Sequence, residues 1–423
     1  MQTTFQQEPE PAALIAIDWA DQKHDIALLP AGATEAEHLQ LDHRPEVLAE
    51  WISGLRQRFG GAPVAVAIEQ KRGALVHALM GQEFLILYPI NPATLANLRK
   101  AFHTSGTKND PLDRDLLLEL LHKHRDRLRR WEPDDARTRL LALLVEDRRQ
   151  AVDERTRLGE QLLATLKGYF PAMIELAGPE LTTRLACELI LKWPDFDSLR
   201  RAKTQTVRAF FYARNFRRPD QLDQRLESLK AAVPLSRDEA VVGAGRLKAV
   251  RLARAILALL PAIKEYDQQI ATLFAAHPDA PIFESFPGAG PALGPRLLVL
   301  FGSQRSRWSS SQEIATYNGI APVIERSGKR YLIHWRWACP KFSRQSLHEF
   351  AACSLPFCDW ALAFYQTQRQ RGKTHHAAIR ALAFKWIRIL FRCWKDNNLY
   401  DPAKYAPAAL VNNLNNSKKT VDG

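Results

Sequence analysis

Two short apolar runs, Leu14-Ile15-Ala16-Ile17 and Val64-Ala65-Val66-Ala67-Ile68, each end in a carboxylate, Asp18 and Glu69 respectively. Runs this short, built from β-branched residues and alanine, read as buried strands rather than helices. A carboxylate closing a buried strand must find a partner, because an unpaired charge in low dielectric costs several kcal/mol. The chain is therefore expected to fold around a sheet whose acid-bearing strand ends are a place for chemistry.

Two more acids, Asp110 and Asp113, open a leucine-rich stretch that runs to His124 and reads as a helix. Three-residue spacing puts both carboxylates on one helical face, where they repel unless a cation lies between them. Carboxylates from strands and a helix gathered round Mg²⁺ commonly serve phosphodiester chemistry. Each acid alone has a plainer reading. Asn109-Asp110-Pro111 is a fair helix start with proline at the first helical position, and Asp18 and Glu69 can be strand ends facing water. The four in this order favour the metal site, with Asp21 and Asp115 close enough in sequence to share in it.

Periodicity places strands at 14–18, 24–29, 37–41, 63–69 and 84–88, and helices at roughly 45–58, 72–80, 92–101 and 111–127. Three consecutive strands, then strand–helix alternation, then a helix bearing two acids, is the order of a ribonuclease-H-like α/β fold. In such a sheet the first and fourth strands are neighbours, which brings Asp18 and Glu69 together. From about 135 to 275 the pattern is wholly helical. Leu141, Leu144, Val152, Leu158, Leu162 and Leu166 approximate a heptad seam interrupted by Arg148 and Arg155, as in a coiled-coil spacer that dimerises or separates domains.

The expected layout is a disordered tail over 1–12, an α/β domain over 13–130, a helical or coiled-coil region over 131–279, a mostly helical domain over 280–400, and a flexible tail over 401–423. No apolar run reaches the ~18 residues that cross a bilayer, and Met1 to Pro11 is polar and acidic, which argues against a membrane and for the cytoplasm. Five cysteines form no CxxC pair and are expected reduced and buried; Cys353, Cys358, His375 and His376 fit no common zinc module.

The net charge is +13, and its placement says more than its size. Between Arg326 and Lys395 stand fourteen lysines and arginines against only Glu349 and Asp359, together with half of the chain's ten tryptophans. Concentrated basic charge interleaved with aromatics suits a polyanion that also stacks, that is, a nucleic acid. Trp386 and Trp394 lie in a helical apolar pattern and are expected in the core. Upstream, Phe286-Pro287-Gly288-Ala289-Gly290-Pro291 leads into an apolar helix. Gly288 and Gly290 at such a turn expose backbone N–H groups suited to a phosphate, as in helix–hairpin–helix elements.

The ordered motifs resemble a known family. Asp18, Glu69, Lys108-x-Asp110-x-x-Asp113 and Gly319-x-x-Pro322-x-x-x-x-Ser327-Gly328 are similar to those of the DEDD transposases of the insertion-sequence 110 and 1111 group, the bridge recombinases. His334 to Phe342 and Leu347-His348-Glu349-Phe350 look like one branch of it. The resemblance implies a RuvC-like domain, a coiled-coil spacer and a C-terminal transposase domain in a bacterial, nucleoid-associated recombinase. It implies that Asp18, Glu69, Asp110 and Asp113 bind Mg²⁺ or Mn²⁺ and that Ser327 is a nucleophile. It further implies an element-encoded guide RNA that pairs with donor and target double-stranded DNA, and a homo-oligomer, dimer or tetramer. Lys108, Arg326, Lys329, Arg330, Arg336 and Lys341 are the expected nucleic-acid contacts. Many relatives follow the serine with a glycine-rich segment, whereas this chain has the tryptophan-rich run from Ile333 to Phe342.

Two other functions fit the residues: a metal-dependent, structure-selective nuclease in which Ser327 does nothing chemical, and a non-catalytic nucleic-acid-binding protein using the basic C-terminal unit.

Overall fold

The computed structural model describes residues 10–69, 73–102, 110–328 and 330–405, with the backbone alone at Asp110, Arg330 and Tyr331. Lys108, Lys329, the side chains of Asp110 and Arg330, and most of both expected tails lie outside the described residues. The chain divides between Pro133 and Asp134 into two compact units.

The first unit carries β1 (Ala13–Asp18), β2 (Lys23–Pro30), β3 (Glu37–Asp42), α1 (Pro45–Arg58), β4 (Val64–Ile68), α2 (Ala74–Met80), β5 (Leu85–Pro89), α3 (Pro92–Phe102) and α4 (Asp110–His124). The sheet order is β3-β2-β1-β4-β5, so the first and fourth strands are neighbours, as the sequence pattern requires. β1 runs antiparallel to β2 and parallel to β4. This is a mixed α/β domain of the ribonuclease-H-like kind, followed by extensive helical structure.

Its two faces differ. One presents Ile15, Ile17, Ile26, Val64, Val66 and Ile68 to the side packed with Leu48, Ile52 and Leu79. The other presents Ala16, Ala27, Ala65 and Ala67, against which lie Leu116, Leu117, Leu120 and Leu121 of α4. Alternation along a strand separates the two sets, and alanine's small side chain lets α4 approach closely.

The second unit contains α5 (Ala136–Tyr169), α6 (Pro171–Ala177), α7 (Arg184–Lys192), α8 (Phe196–Arg200), α9 (Thr204–Tyr212), α10 (Pro219–Ala231), α11 (Glu239–Ala275), α12 (Ala280–Glu284), α13 (Gly290–Phe301) and α14 (Ser311–Tyr317). Then come the hairpin β6 (Val323–Ser327) and β7 (Arg330–His334), and α15 (Lys341–Cys353), α16 (Asp359–Gln370) and α17 (His375–Lys395). The leucine seam of α5 packs within the chain, against α11. Leu141 and Val145 share a core with Ile270 and Phe274, while Leu158, Leu162 and Leu166 share another with Ala249, Leu252 and Ile256. The two long helices are therefore antiparallel, and α6 to α10 fold back over their far end. Asp135 caps α5 by accepting from the Thr138 amide.

The other core of this unit is aromatic. Trp360, Trp386 and Trp394 are buried, and each indole N–H has an acceptor: Tyr400 Oη at 2.8 Å, Ser354 Oγ at 2.9 Å and the Gly302 carbonyl at 2.9 Å. Satisfied in this way, they serve the core rather than a nucleic acid. Residues 401–405 are ordered here, with Tyr405 stacked on Tyr400. The expectation of buried cysteines needs correction: Cys187, Cys358 and Cys393 are buried, Cys339 is half-buried, and Cys353 at the end of α15 is exposed. No described helix is long and apolar enough to cross a membrane.

Candidate functional site

In the first unit, the parallel pairing of β1 and β4 ends with Ile17 opposite Ile68. The next residue on each strand is Asp18 and Glu69, so the two acids emerge side by side at the carboxyl edge of the sheet. Alternation places Asp18 with Ala16 on the alanine face beneath α4, while Glu69 follows the last paired residue of β4. Asp18 is 9% exposed.

α4 brings Asp113 to the same layer. Asp113, Leu116, Leu117, Leu120 and Leu121 follow the spacing of one helical face, and Asp113 is fully buried with them. Its charge is met by Arg99 of α3, whose Nε donates to Oδ1 at 2.7 Å while Nη2 donates to Oδ2. This bidentate pair, almost wholly inside the protein, satisfies a carboxylate that would otherwise be costly to bury. Asp110 lies one turn earlier, in the first residue of α4, with its side chain outside the described residues.

Sequence reasoning missed Asp25. It is the Cα partner of Asp18 across the antiparallel β1–β2 ladder, on the same face, and accepts a hydrogen bond from Gln40 at 3.1 Å. Of the other acids considered, Asp21 is exposed and Asp115 is bonded to Arg114 at 2.9 Å.

Oxygen-only carboxylate donors suit a hard divalent cation, and Asp18 and Glu69 are placed to offer them together. Among the described residues, however, no three His, Cys, Asp or Glu side chains form a group that could hold a metal ion, and Asp113 is engaged by Arg99. The donor chemistry fits Mg²⁺ or Mn²⁺. Asp113 as described is committed to Arg99, so a cation here would need a donor beyond Asp18 and Glu69.

In the second unit, Ser327 ends β6 opposite Arg330, and Gly328 follows it with a positive φ of 55° that suits the tight reversal of a hairpin. Ser327 and Arg326 are exposed. At the other end of the hairpin, His334 Nε2 lies 2.8 Å from Glu325 Oε1 and its Nδ1 lies 3.2 Å from the Trp335 carbonyl. Both ring nitrogens thus face acceptors, and the Glu325 hydrogen bond, followed by that to Trp335, raises the imidazole pKa.

The Gly288 turn has a packing reason for its glycine. Its φ is +78°, and a Cβ there would run into the Cys353 carbonyl at the end of α15. Gly290, with φ +52°, faces open space at the start of α13. Arg336 is half-buried beyond β7, and Lys341 is exposed at the first residue of α15.

A DEDD-type model described as a transposase of the IS110 kind matches residues 15–171, and a second, the IS116/IS110/IS902 transposase family, matches residues 280–366. The first covers nearly all of the sheet and α4 with its two acids, and the second covers the serine hairpin. The chain is a transposase-like protein of the IS110/IS116/IS902 family. Among particular relatives it is similar to a candidate mini-circle transposase for IS117 of Streptomyces coelicolor, at 25% identity over 92% of this chain and 96% of that protein. It is also similar to the 43.6 kDa protein of insertion element IS110 from the same organism, at 27% identity over 89% and 92%. A third relative is the 42 kDa protein of IS900 from Mycobacterium paratuberculosis, at 28% identity over 86% and 90%.

Proposed function

We propose that this protein is the DNA recombinase of an insertion sequence, joining donor and target double-stranded DNA through Ser327 with help from the acids of the first unit. The observation that carries the reading is the ordered set of motifs on matching elements. Asp18 and Glu69 stand side by side at two strand ends, Asp113 is buried on α4, and Ser327 is exposed at a hairpin tip flanked by basic residues.

In this reading the Ser327 hydroxyl attacks a backbone phosphorus. The bond from Oγ to phosphorus forms as the bond to one strand oxygen breaks; the serine gives up its proton to solvent, and the departing oxygen leaves with the electron pair and takes up a proton. The phosphodiester is conserved as a phosphoserine diester, so a second strand's hydroxyl can displace the serine without ATP. Arg326, Lys329 and Arg330 neutralise charge building on the phosphoryl oxygens, and Lys108, Gly288, Gly290, Arg336 and Lys341 hold the backbone. A divalent cation held by Asp18, Glu69, Asp110 and Asp113 would supply Lewis-acid stabilisation and lower the pKa of a bound hydroxyl. An RNA encoded by the element selects both DNA partners by base pairing, and the working form is a dimer or tetramer.

The test incubates purified protein with RNA transcribed from the element's end, Mg²⁺ and labelled donor and target DNA, and resolves protein–DNA adducts on a denaturing gel. A covalent adduct from wild type and none from Ser327→Ala is expected. Free cleaved ends without adduct from both proteins would replace this reading with a metal-dependent nuclease.

A further inference from the structure

A cavity of about 130 Å³ opens at the base of the serine hairpin, lined by Gly319 to Pro322, Ile333 to Arg336, and Arg380 of α17. Its charge is one-sided. The guanidinium of Arg380 lies 3.5 Å from the centre of the Trp335 ring, and that of Arg344 from α15 lies 4.7 Å from the same centre. Arg344 donates to the Arg336 carbonyl at 3.3 Å, which ties the three arginines into one group. Among the described residues no carboxylate lines the cavity itself, and Glu325, the acid beside it, is paired with the wall residue His334 at 2.8 Å.

The Nε atoms of Arg336 and Arg380 are both buried, and among the described residues neither has a hydrogen-bond acceptor. Leaving a buried charged donor unsatisfied is costly, and two such arginines lining one cavity, beside a third guanidinium, is a repulsive arrangement. Stacking on Trp335 offsets part of that repulsion and fixes the planes of Arg344 and Arg380. The backbone side is equally specific. Gly319 has a φ of +68°, and a Cβ there would collide with the Cys339 sulfur. These residues hold a basic hollow open at a cost to the fold, which is what a site for an anion requires.

We propose that this cavity seats a backbone phosphate of a nucleic acid, gripped by Arg336 and Arg380 and backed by Arg344. Its volume corresponds to roughly four waters, enough for a tetrahedral oxyanion and far below a cavity for a whole nucleotide or a drug-sized ligand. Arginine's planar donors match phosphate oxygens in pairs. Two residues along the chain, Trp337 is 79% exposed, the one exposed tryptophan of the basic stretch, and offers a ring to an adjacent base.

Position decides the role. Val323 pairs with His334 at the cavity wall, and Ser327 lies four residues farther along β6, a reach of about 13 Å at ~3.3 Å per strand residue. The cavity therefore anchors a phosphate away from the bond that Ser327 attacks. Only this spacing rests on the serine reading; the anion site does not.

The test measures anisotropy of full-length protein with a fluorescein-labelled duplex, a single DNA strand and an RNA, between about 50 and 200 mM salt. All variants are built on Ser327→Ala, so that chemistry plays no part. Arg336→Gln/Arg380→Gln is expected to lower affinity about tenfold and to reduce the log–log salt slope by about 0.9 on duplex or 0.7 on single strands. Arg380→Lys keeps the charge but loses the paired geometry, so it should weaken binding with the slope unchanged. This variant decides the matter if the double variant fails to show a cooperative melt. Arg237→Gln, at an exposed arginine ahead of α11, should leave the slope unchanged. Unchanged affinity and slope on all three polymers, or an equal loss from Arg237→Gln, would overturn the assignment. The adduct gel reports on Ser327 separately, so either idea can fail alone.

Discussion

Asp18 and Asp25 are direct Cα partners across the antiparallel β1–β2 ladder, both on the alanine face that lies beneath α4. Side chains so placed have Cβ atoms about 5 Å apart, and like charges there repel. Glu69 stands at the end of the strand on the other side of Asp18. The strand edge thus gathers three carboxylates, Asp18, Asp25 and Glu69, at neighbouring positions.

Asp25→Asn keeps the Gln40 hydrogen bond available and removes one charge. Without Mg²⁺ the variant is expected to be more stable by about 0.5 kcal/mol, within the usual range for a cross-strand charge pair. Its stabilisation by added Mg²⁺ should be smaller than that of wild type. Urea titrations with EDTA and with Mg²⁺ provide both numbers. A variant less stable than wild type in EDTA would show that Asp25 is a net support of the sheet.

Arg99 and Asp113 make the opposite case, since a buried charge pair is broken rather than relieved. Arg99→Ala leaves the Asp113 carboxylate fully buried with neither of its two donors, and the expected loss is about 3–5 kcal/mol. If Asp113 also serves a cation, that loss should be partly recovered by Mg²⁺, with a larger rise in melting temperature than in wild type. Arg99→Ala/Asp113→Asn should lose less than Arg99→Ala and show no such recovery. An equal Mg²⁺ response in all three proteins would make Arg99–Asp113 a purely structural pair.

Much of the first unit was readable from local pattern. The runs ending in Asp18 and Glu69 are strands within a residue of their expected bounds, and the strand order follows from three consecutive strands before the first helix. What could not be read depends on register or on distant packing. Asp25 shares the site only because β2 pairs with β1 at that offset, which no periodicity specifies. Arg99 meets Asp113 only once α3 and α4 pack together. The α5 seam has a heptad-like spacing whether its partner is a second chain or, as found, α11 roughly a hundred residues on. Likewise, the arginines around Trp335 come from three places in the sequence, and only the fold makes them one group.

His277 carries a pH dependence with a definite sign. Its Nδ1 accepts from the Asp279 amide at 3.0 Å, so the proton sits on Nε2, which lies 2.9 Å from Thr138 Oγ1. The Thr138 hydroxyl in turn donates to Asp135, the cap of α5. Burial lowers the His277 pKa, outweighing the opposing pull of Asp279 and Asp135, with Arg137 and Arg305 adding to the lowering. The unfolded chain therefore takes up a proton that the folded chain resists as pH falls through ~6.5, and stability falls with it. Urea midpoints between about pH 8 and 5 should decline less in His277→Gln than in wild type. A steeper decline in the variant would mean that the folded protein binds that proton.

Gly288 and Gly290 separate packing from backbone freedom within one turn. Both have positive φ, where alanine is strained by about 1 kcal/mol. At Gly290 that strain is the whole cost, because an added Cβ meets nothing within 4 Å. At Gly288 the added carbon runs into the Cys353 carbonyl and the Ser354 amide, backbone atoms that cannot rotate away. Overpacking of this kind typically adds about 1–3 kcal/mol. Gly288→Ala is thus expected to lower the unfolding free energy by about 2–4 kcal/mol, against about 1 kcal/mol for Gly290→Ala. Nucleic-acid binding provides the complementary measurement. If Gly290 presents its amide to a phosphate, Gly290→Ala should weaken binding while sparing stability, and Gly288→Ala should weaken binding only near its own melting temperature. Equal melting temperatures for the two variants would mean that the turn and the end of α15 move apart without cost, and that the close approach at Cys353 does not hold the turn.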